Sequence, residues 1–224
     1  PIAHSTFSVE KMPFFKYRLR FSRKGKMRFL SQLEQIELIR RCIRRASLPV
    51  AHSYGFHPQM KISFGPAISV GYESDCEYAD AVFTGAIDMK STAVSINNSL
   101  PEGFSLIEIK QIPIFFKPVE VETISITYSV ENLTDITGNS VEELKRILGD
   151  TLSSAQMLIE KKPNVVLDAK PLLNNPYFDG SVFKFELKLS PGRNIKPEKI
   201  LAKIFDLNDK DVSLLIIKRL SLTS

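Results

Sequence analysis

Basic and apolar side chains alternate through KYRLRF from Lys16, the period of two shown by a half-buried β-strand. SRKGK turns the chain at Gly25, and the rhythm becomes helical through SQLEQIELIRRCIRRAS. Ser31 and Glu34 stand at capping-box spacing, the hydroxyl accepting from a free backbone N–H and the carboxylate from the N–H of the cap residue. At about 100° per residue, Ile36, Ile39, Ile43 and Ala46 form one flank of this helix. Arg40, Arg41, Arg44 and Arg45 form the other, with Glu37 as the acid among them, and Pro49 ends the helix. After a loop, MKISF and EYADAVFTG read as strands, DMKSTAVSINNSL as a helix stopped at Pro101-Glu102-Gly103, and FSLIEIKQI as a further strand.

That order is β-α-β-β-α-β, the split βαβ arrangement of ferredoxin-like domains. The second half repeats it: strand ISITYSVENL, helix VEELKRILGD, an irregular stretch holding a short VVL strand and a turn-rich tail, strand VFKFELKLS, helix PEKILAKIF and strand VSLLIIKRLSL. Pro197 suits the first turn of its helix, and Pro113 and Pro118 interrupt regular structure between the halves. The pattern predicts an α+β protein of two tandem ferredoxin-like (βαββαβ) modules. An extension covers residues 1–15, a basic module 16–112, a linker 113–123 and a second module 124–224. A single larger α+β domain is the alternative.

Composition adds limits. The 224 residues fit one large domain or two small ones. With 43% hydrophobic and 25% charged residues, the chain is neither disordered nor collagen-like. No apolar run approaches the ~18–20 residues that cross a bilayer, and PIAHSTFSVEK lacks a signal-peptide core, so a cytoplasmic protein without membrane contact is expected. The start at Pro1 fits a portion excised from a longer polypeptide. Cys42 and Cys76 have no metal-ligand or redox spacing and read as free thiols.

Charge changes the picture more. The formal net charge is +5, yet residues 11–61 carry +11, from thirteen Lys and Arg against Glu34 and Glu37, while the remaining 173 residues carry −6. A basic surface of this kind meets polyanions. The candidates for phosphate contact are Arg18, Arg20, Arg23, Lys24, Lys26 and Arg28, then Arg40, Arg41, Arg44 and Arg45; the remaining cations of the segment are Lys11, Lys16 and Lys61. Tyr17, Phe21 or Phe29 can stack on bases beside them, although alternation turns Tyr17, Leu19 and Phe21 away from Arg18 and Arg20, toward a core.

AHSYGFHPQMKISFGPAISVG, residues 51–71, concentrates chemistry. Gly55, Phe56, His57, Pro58, Ser63 and Gly65 make it a candidate ligand loop. His52, Tyr54, His57 and Lys61 are the residue types that metal-independent cleavage of RNA by its own 2′-hydroxyl needs: groups that move a proton near neutral pH and groups that stabilise developing charge. Turn formation and main-chain hydrogen bonding explain the same residues structurally. No metal site is expected, since His52 and His57 have no carboxylate or thiol between them and HExxH is absent. P-loop and GxGxxG motifs are absent too. LDAKPLL sets Asp168, Lys170 and Pro171 beside a turn, and SPGRNIKPEKI sets Gly192, Arg193 and Lys196 just before a helix, where an anion or a plain connection fits equally well.

Longer motifs carry a resemblance. Arg28-Phe29-Leu30-Ser31-Gln32-Leu33-Glu34, Gly55-Phe56-His57-Pro58, Ser63-Phe64-Gly65-Pro66 and Gly71-Tyr72-Glu73-Ser74 stand in order, with LDAKPLL and KPEKIL later. From Lys16 to Leu222 the chain resembles the radical-SAM-linked family of uncharacterised domains, which occur alone or fused C-terminally to B12-binding radical SAM proteins. Gln32 and Glu34 depart from the His and Asp usual in that family. The resemblance implies a radical SAM domain or protein as partner, bringing the iron–sulfur cluster, S-adenosylmethionine and cobalamin, with no cofactor in this chain. A CxxxCxxC cluster motif is absent here. The family's similarity in neighbourhood to ribonuclease E/G-type proteins favours RNA as the polyanion. The leading expectation is a non-catalytic, RNA-binding substrate-recognition module. The alternatives are a metal-independent endoribonuclease of the CRISPR-repeat-processing type and a protein-docking module; nothing in the sequence fixes the oligomeric state.

Overall fold

The computed structural model describes residues 14–190 and 192–224. Seventeen strands and α-helices run in chain order as β1 (Phe15–Arg23), α1 (Gln32–Arg45), β2 (Ile62–Phe64), β3 (Glu73–Phe83), α2 (Met89–Ser99), β4 (Phe104–Ile112), α3 (Val119–Glu122), β5 (Ser125–Val130), α4 (Leu133–Thr137), α5 (Val141–Ser153), β6 (Leu158–Lys162), β7 (Val165–Asp168), β8 (Leu173–Asp179), β9 (Val182–Lys188), α6 (Pro197–Phe205), α7 (Asp209–Leu214) and β10 (Ile217–Thr223). Of the extension expected over residues 1–15, residues 1–13 lie outside the described residues, Phe14 is exposed and Phe15 opens β1.

The class is mixed α+β, built on one mostly antiparallel sheet. Its order is β4-β1-β3-β10-β5-β9-β8, with β2 also on β3, while β6 and β7 form a separate hairpin. β1 covers one edge of β3 from Ser74 to Phe83. The other edge is shared: β2 takes Ala79 to Ala81, and β10 pairs in parallel with Glu73 and Ser74. That two-residue parallel junction is where strands of the first and second halves of the chain join one sheet.

Local chemistry explains the elements. α1 begins at the expected capping box, with Ser31 N–H donating to Glu34 Oε2 at 2.7 Å and Glu34 N–H to Ser31 Oγ at 3.3 Å. β1 alternates as predicted: Tyr17, Leu19 and Phe21 are buried with Ile39 and Ile43 of α1 and Ile96 of α2. Gly103, at φ 86°, accepts from Lys24 N–H at 2.7 Å; a Cβ there would lie 2.6 Å from Lys24 O, so only glycine fits this approach. A second core forms where β5 and β9 meet α5 and α6, around Ile126, Tyr128, Phe183, Phe185, Leu144 and Ile200. Ile68 and Tyr72 belong to this second core although they come from the first half.

Several segments differ from the expectation: α3 lies within the expected linker, α4 starts at Leu133 where a strand was expected, and β6 lies in the stretch expected to be irregular. The turn-rich tail contains a strand, β8, whose register shifts between Asn174 and Tyr177 around Asn175, at φ 42°, and Pro176. β8 ends the sheet, and an edge strand with a register shift is a position where proline costs no ladder hydrogen bond. VSLLIIKRLSL is not all strand: α7 ends at Leu214 and β10 starts only at Ile217. No helix among the described residues is long and apolar enough to cross a membrane.

Candidate functional site

The ten cations expected to form one surface are divided by strand parity. Arg18 and Arg20 lie on the sheet face opposite α1 and are paired. Arg18 donates to both carboxylate oxygens of Asp80 at 2.8 and 2.9 Å, and Arg20 Nε lies 3.2 Å from Glu108. The carboxylate of Asp80, its nearest partner, raises the Arg18 guanidinium pKa further. Lys24 pairs with Asp75 and Arg40 with Glu37. Arg28 stacks over Phe29 at 4.8 Å. Of the ten, the exposed cations without an ion pair among the described residues are Lys26 and, on α1, Arg41, Arg44 and Arg45. Lys11 lies outside the described residues.

Arg23 corrects the expectation outright: it is fully buried. Its parity is that of Tyr17, Leu19 and Phe21, so the strand delivers it to the interior. There Nε donates to Tyr72 O at 3.1 Å and Nη1 to Gln35 Oε1 at 2.9 Å, while Nη2 reaches the carbonyls of Arg28, Leu30 and Ser69. Burial lowers its pKa more than neighbouring Glu77 raises it.

The segment 51–71 has two parts with different fates. From Ala51 to Phe64 it folds as a hairpin-like excursion, with His52 bridged to Met60, Lys61 N–H donating to Ala51 O and Ser53 N–H to Gln59 O. At its tip Gly55, at φ 124°, supplies a turn that other residues resist. Tyr54 is 92% exposed and Phe56 102%, beside exposed His57 and Pro58. The Lys61 ammonium lies 5.5 Å from the Tyr54 ring and 5.2 Å from that of Phe14. Neither His52 nor His57 hydrogen-bonds through its ring among the described residues. At the base, Ser63 pairs with Asp80 in the β2–β3 ladder, Gly65 N–H donates to Tyr78 O, and Arg40 of α1 sits over Phe64 at 5.9 Å.

The second part, Pro66–Tyr72, turns inward and is held by two arginines. Arg23 takes Ser69 O and Tyr72 O, as above. Arg219 of β10 donates to Pro66 O at 2.8 Å and Ala67 O at 2.6 Å, and pairs with Glu77 at 3.3 Å. Gln35 completes the network by donating to Glu77 Oε2 at 2.7 Å. Sequence reading missed Gln35, Glu77 and Arg219. Parity held the signal: Arg219 shares a face with Ile217, as Arg23 does with Phe21.

Above Arg219 a cavity of about 650 Å³ opens between Pro66–Tyr72, the segment around Glu120–Tyr128 and the turn around Ser190–Pro197. It brings the inner half of the expected ligand loop beside the turn that precedes α6. Tyr72 hydroxyl donates to Glu198 at the start of α6, and its ring lies 6.3 Å from that of Tyr128. Burial raises the Tyr128 phenol, and the nearby Arg219 cation pulls it back. Arg193 is exposed beside this turn, and Asp168 accepts from Met157 N–H and Lys170 N–H, a local turn contact.

No group of three or more His, Cys, Asp or Glu residues placed to hold a metal ion occurs among the described residues. Cys42 and Cys76 are buried, Cys42 donating to Ser99 O. With two cysteines the chain lacks the three thiolates of a CxxxCxxC cluster site.

Residues 16–197 match the model of a family described as an uncharacterized protein conserved in bacteria (DUF2344). No curated protein matches the chain. A crystal structure of an unknown protein from Galdieria sulphuraria is similar at 11% identity and a TM-score of 0.28, over 95% of this chain and all of that one.

Proposed function

We propose that this chain, which belongs to the DUF2344 family of uncharacterized bacterial proteins, is a non-catalytic RNA-binding module that presents substrate to a radical SAM partner. The observation that carries the reading is the exposure of Tyr54 and Phe56 at the tip of the hairpin that starts at Ala51, with the Lys61 ammonium 5.5 Å from the Tyr54 ring, on a chain whose α1 also exposes Arg41, Arg44 and Arg45. Aromatic platforms beside unpaired cations are what single-stranded nucleic acid binds: the π-faces stack on bases and the guanidinium groups neutralise phosphates. Two exposed aromatic rings also cost solubility when left uncovered, which favours a partner over a purely structural tip.

The reading treats each half as a ferredoxin-like module. The strand orders β4-β1-β3-β2 and β10-β5-β9-β8 support it, the second with the β6–β7 hairpin inserted. The radical SAM partner rests on the resemblance of the loop motifs, and stoichiometric co-purification with such a protein is its test.

RNA binding is tested by fluorescence anisotropy with a labelled single-stranded RNA. Tyr54→Ala and Phe56→Ala should each cost about 1–3 kcal/mol of binding. Combined Arg41→Glu, Arg44→Glu and Arg45→Glu should abolish it while the melting curve stays unchanged. Full retention of RNA by the charge-reversed protein overturns the proposal. Cleavage that disappears with a 2′-deoxy substrate would replace it by the nuclease reading through His52, Tyr54, His57 and Lys61.

A further inference from the structure

The cavity between the two halves has the size of a small-molecule site, about 650 Å³. One stretch of its wall is apolar, from Ile124, Ile126, Leu189 and Ile195. The other end is polar, where Arg219, Tyr128 and Ser69 converge.

The charge beneath that polar end is not balanced. Arg23 and Arg219 are 0% and 2% exposed, and the buried carboxylate between them is Glu77 alone, at 3%. Gln35 is neutral, and the remaining acceptors are carbonyl oxygens of Arg28, Leu30, Pro66, Ala67, Ser69 and Tyr72. Arg219 Nε is buried with no hydrogen-bond partner among the described residues. The acids nearest the cavity do not answer this: Glu198 is taken by Tyr72 and Lys196, and Glu120 is exposed at the rim. A buried guanidinium in excess of its counter-ions is costly unless an anion joins it.

We propose that the cleft binds a small organic anion, its carboxylate or phosphate monoester against Arg219 and Tyr128 and its apolar body along Ile124, Ile126, Leu189 and Ile195. The site lies on the inner half of the loop motif, so this inference is independent of RNA binding at the hairpin tip.

The test uses anilinonaphthalene sulfonate, an aromatic body with one fixed negative charge, and the uncharged phenylnaphthylamine of the same ring skeleton. Fluorescence titration should show one saturable site for the sulfonate and at least about tenfold weaker binding of the neutral probe, the scale of one charge-assisted contact. Ser69→Glu places a carboxylate at the polar end and should weaken the sulfonate at least about tenfold, as should Arg219→Gln. Ser69→Glu stands as the deciding variant where Arg219→Gln fails to melt cooperatively. Displacement of the probe by phenyl phosphate or by benzoate tells which headgroup the site takes. Equal binding of both probes, sulfonate binding unchanged in folded Ser69→Glu, or displacement by neither acid overturns the proposal.

Discussion

Arg219, near the end of the chain, places Nη1 3.3 Å from Oε1 of Glu77 on β3, with both side chains almost fully buried. The other oxygen of Glu77 accepts from Gln35 on α1, and Gln35 in turn accepts from Arg23 on β1. One carboxylate thus connects the last strand to the first strand and helix, across a sheet junction only two residue pairs long. The same arginines hold the carbonyls of Pro66–Tyr72, so the network fixes the inner loop and the seam together.

Replacing Glu77 by Ala should therefore act on the whole molecule. It leaves Arg23 and Arg219 buried without a carboxylate, and breaking a buried pair by removing one partner costs about 3–5 kcal/mol. Urea unfolding of Glu77→Ala against the parent protein measures this. A loss below about 1 kcal/mol would show that the carboxylate does not hold the two cations.

Much of this fold was legible in the sequence because its strands alternate cleanly and its helices carry caps. The Ser31–Glu34 box, the apolar flank of α1 and the parity of Tyr17, Leu19 and Phe21 were all visible locally. β8 was not, since Asn175 and Pro176 interrupt a strand that its place at the sheet edge and its register shift permit. The site was legible in part. The motif 51–71 stood out as a segment, but not that its outer half projects while its inner half is clamped. Counting Arg23 as a surface cation weighed charge above parity. Arg219 lay 142 positions from Glu77, and pairings at that range depend on the closed sheet.

Acid should weaken the start of α1. The Glu34 carboxylate is held below its ordinary range, chiefly by the backbone N–H of Ser31. A depressed folded-state value means the contribution is complete above the unfolded value, near about 4.3, and is lost as pH falls through the folded one. The difference in melting temperature between the parent protein and Glu34→Ala should be constant near neutrality and shrink steadily below about pH 4. A difference that persists unchanged at the acid end would contradict the capping-box account.

The two thiols should be silent in the native protein. Burial pushes Cys76 up to about 12 and also raises Cys42. At pH 8, Ellman's reagent should find neither thiol on the timescale at which it titrates an ordinary cysteine of pKa about 8.5, and both after unfolding in guanidinium. Rapid native reaction of either one would place that side chain at the surface.

Salt dependence of the proposed RNA binding should separate the two arginine groups that the sequence had merged. Arg41, Arg44 and Arg45 stand on the outer side of α1, whereas Arg18 and Arg20 point to the opposite sheet face and are held by Asp80 and Glu108. Each cation that neutralises a single-strand phosphate contributes about 0.7 to the slope of log binding constant against log salt. Substituting Arg41, Arg44 and Arg45 together by Gln should lower that slope by about 2 with little change in stability. Arg18→Gln with Arg20→Gln should leave the slope alone and instead destabilise the fold, because Asp80 is 2% exposed and loses its bidentate partner. The reverse outcome, a slope carried by the strand arginines, would move the proposed RNA contact to the sheet face of Arg18 and Arg20.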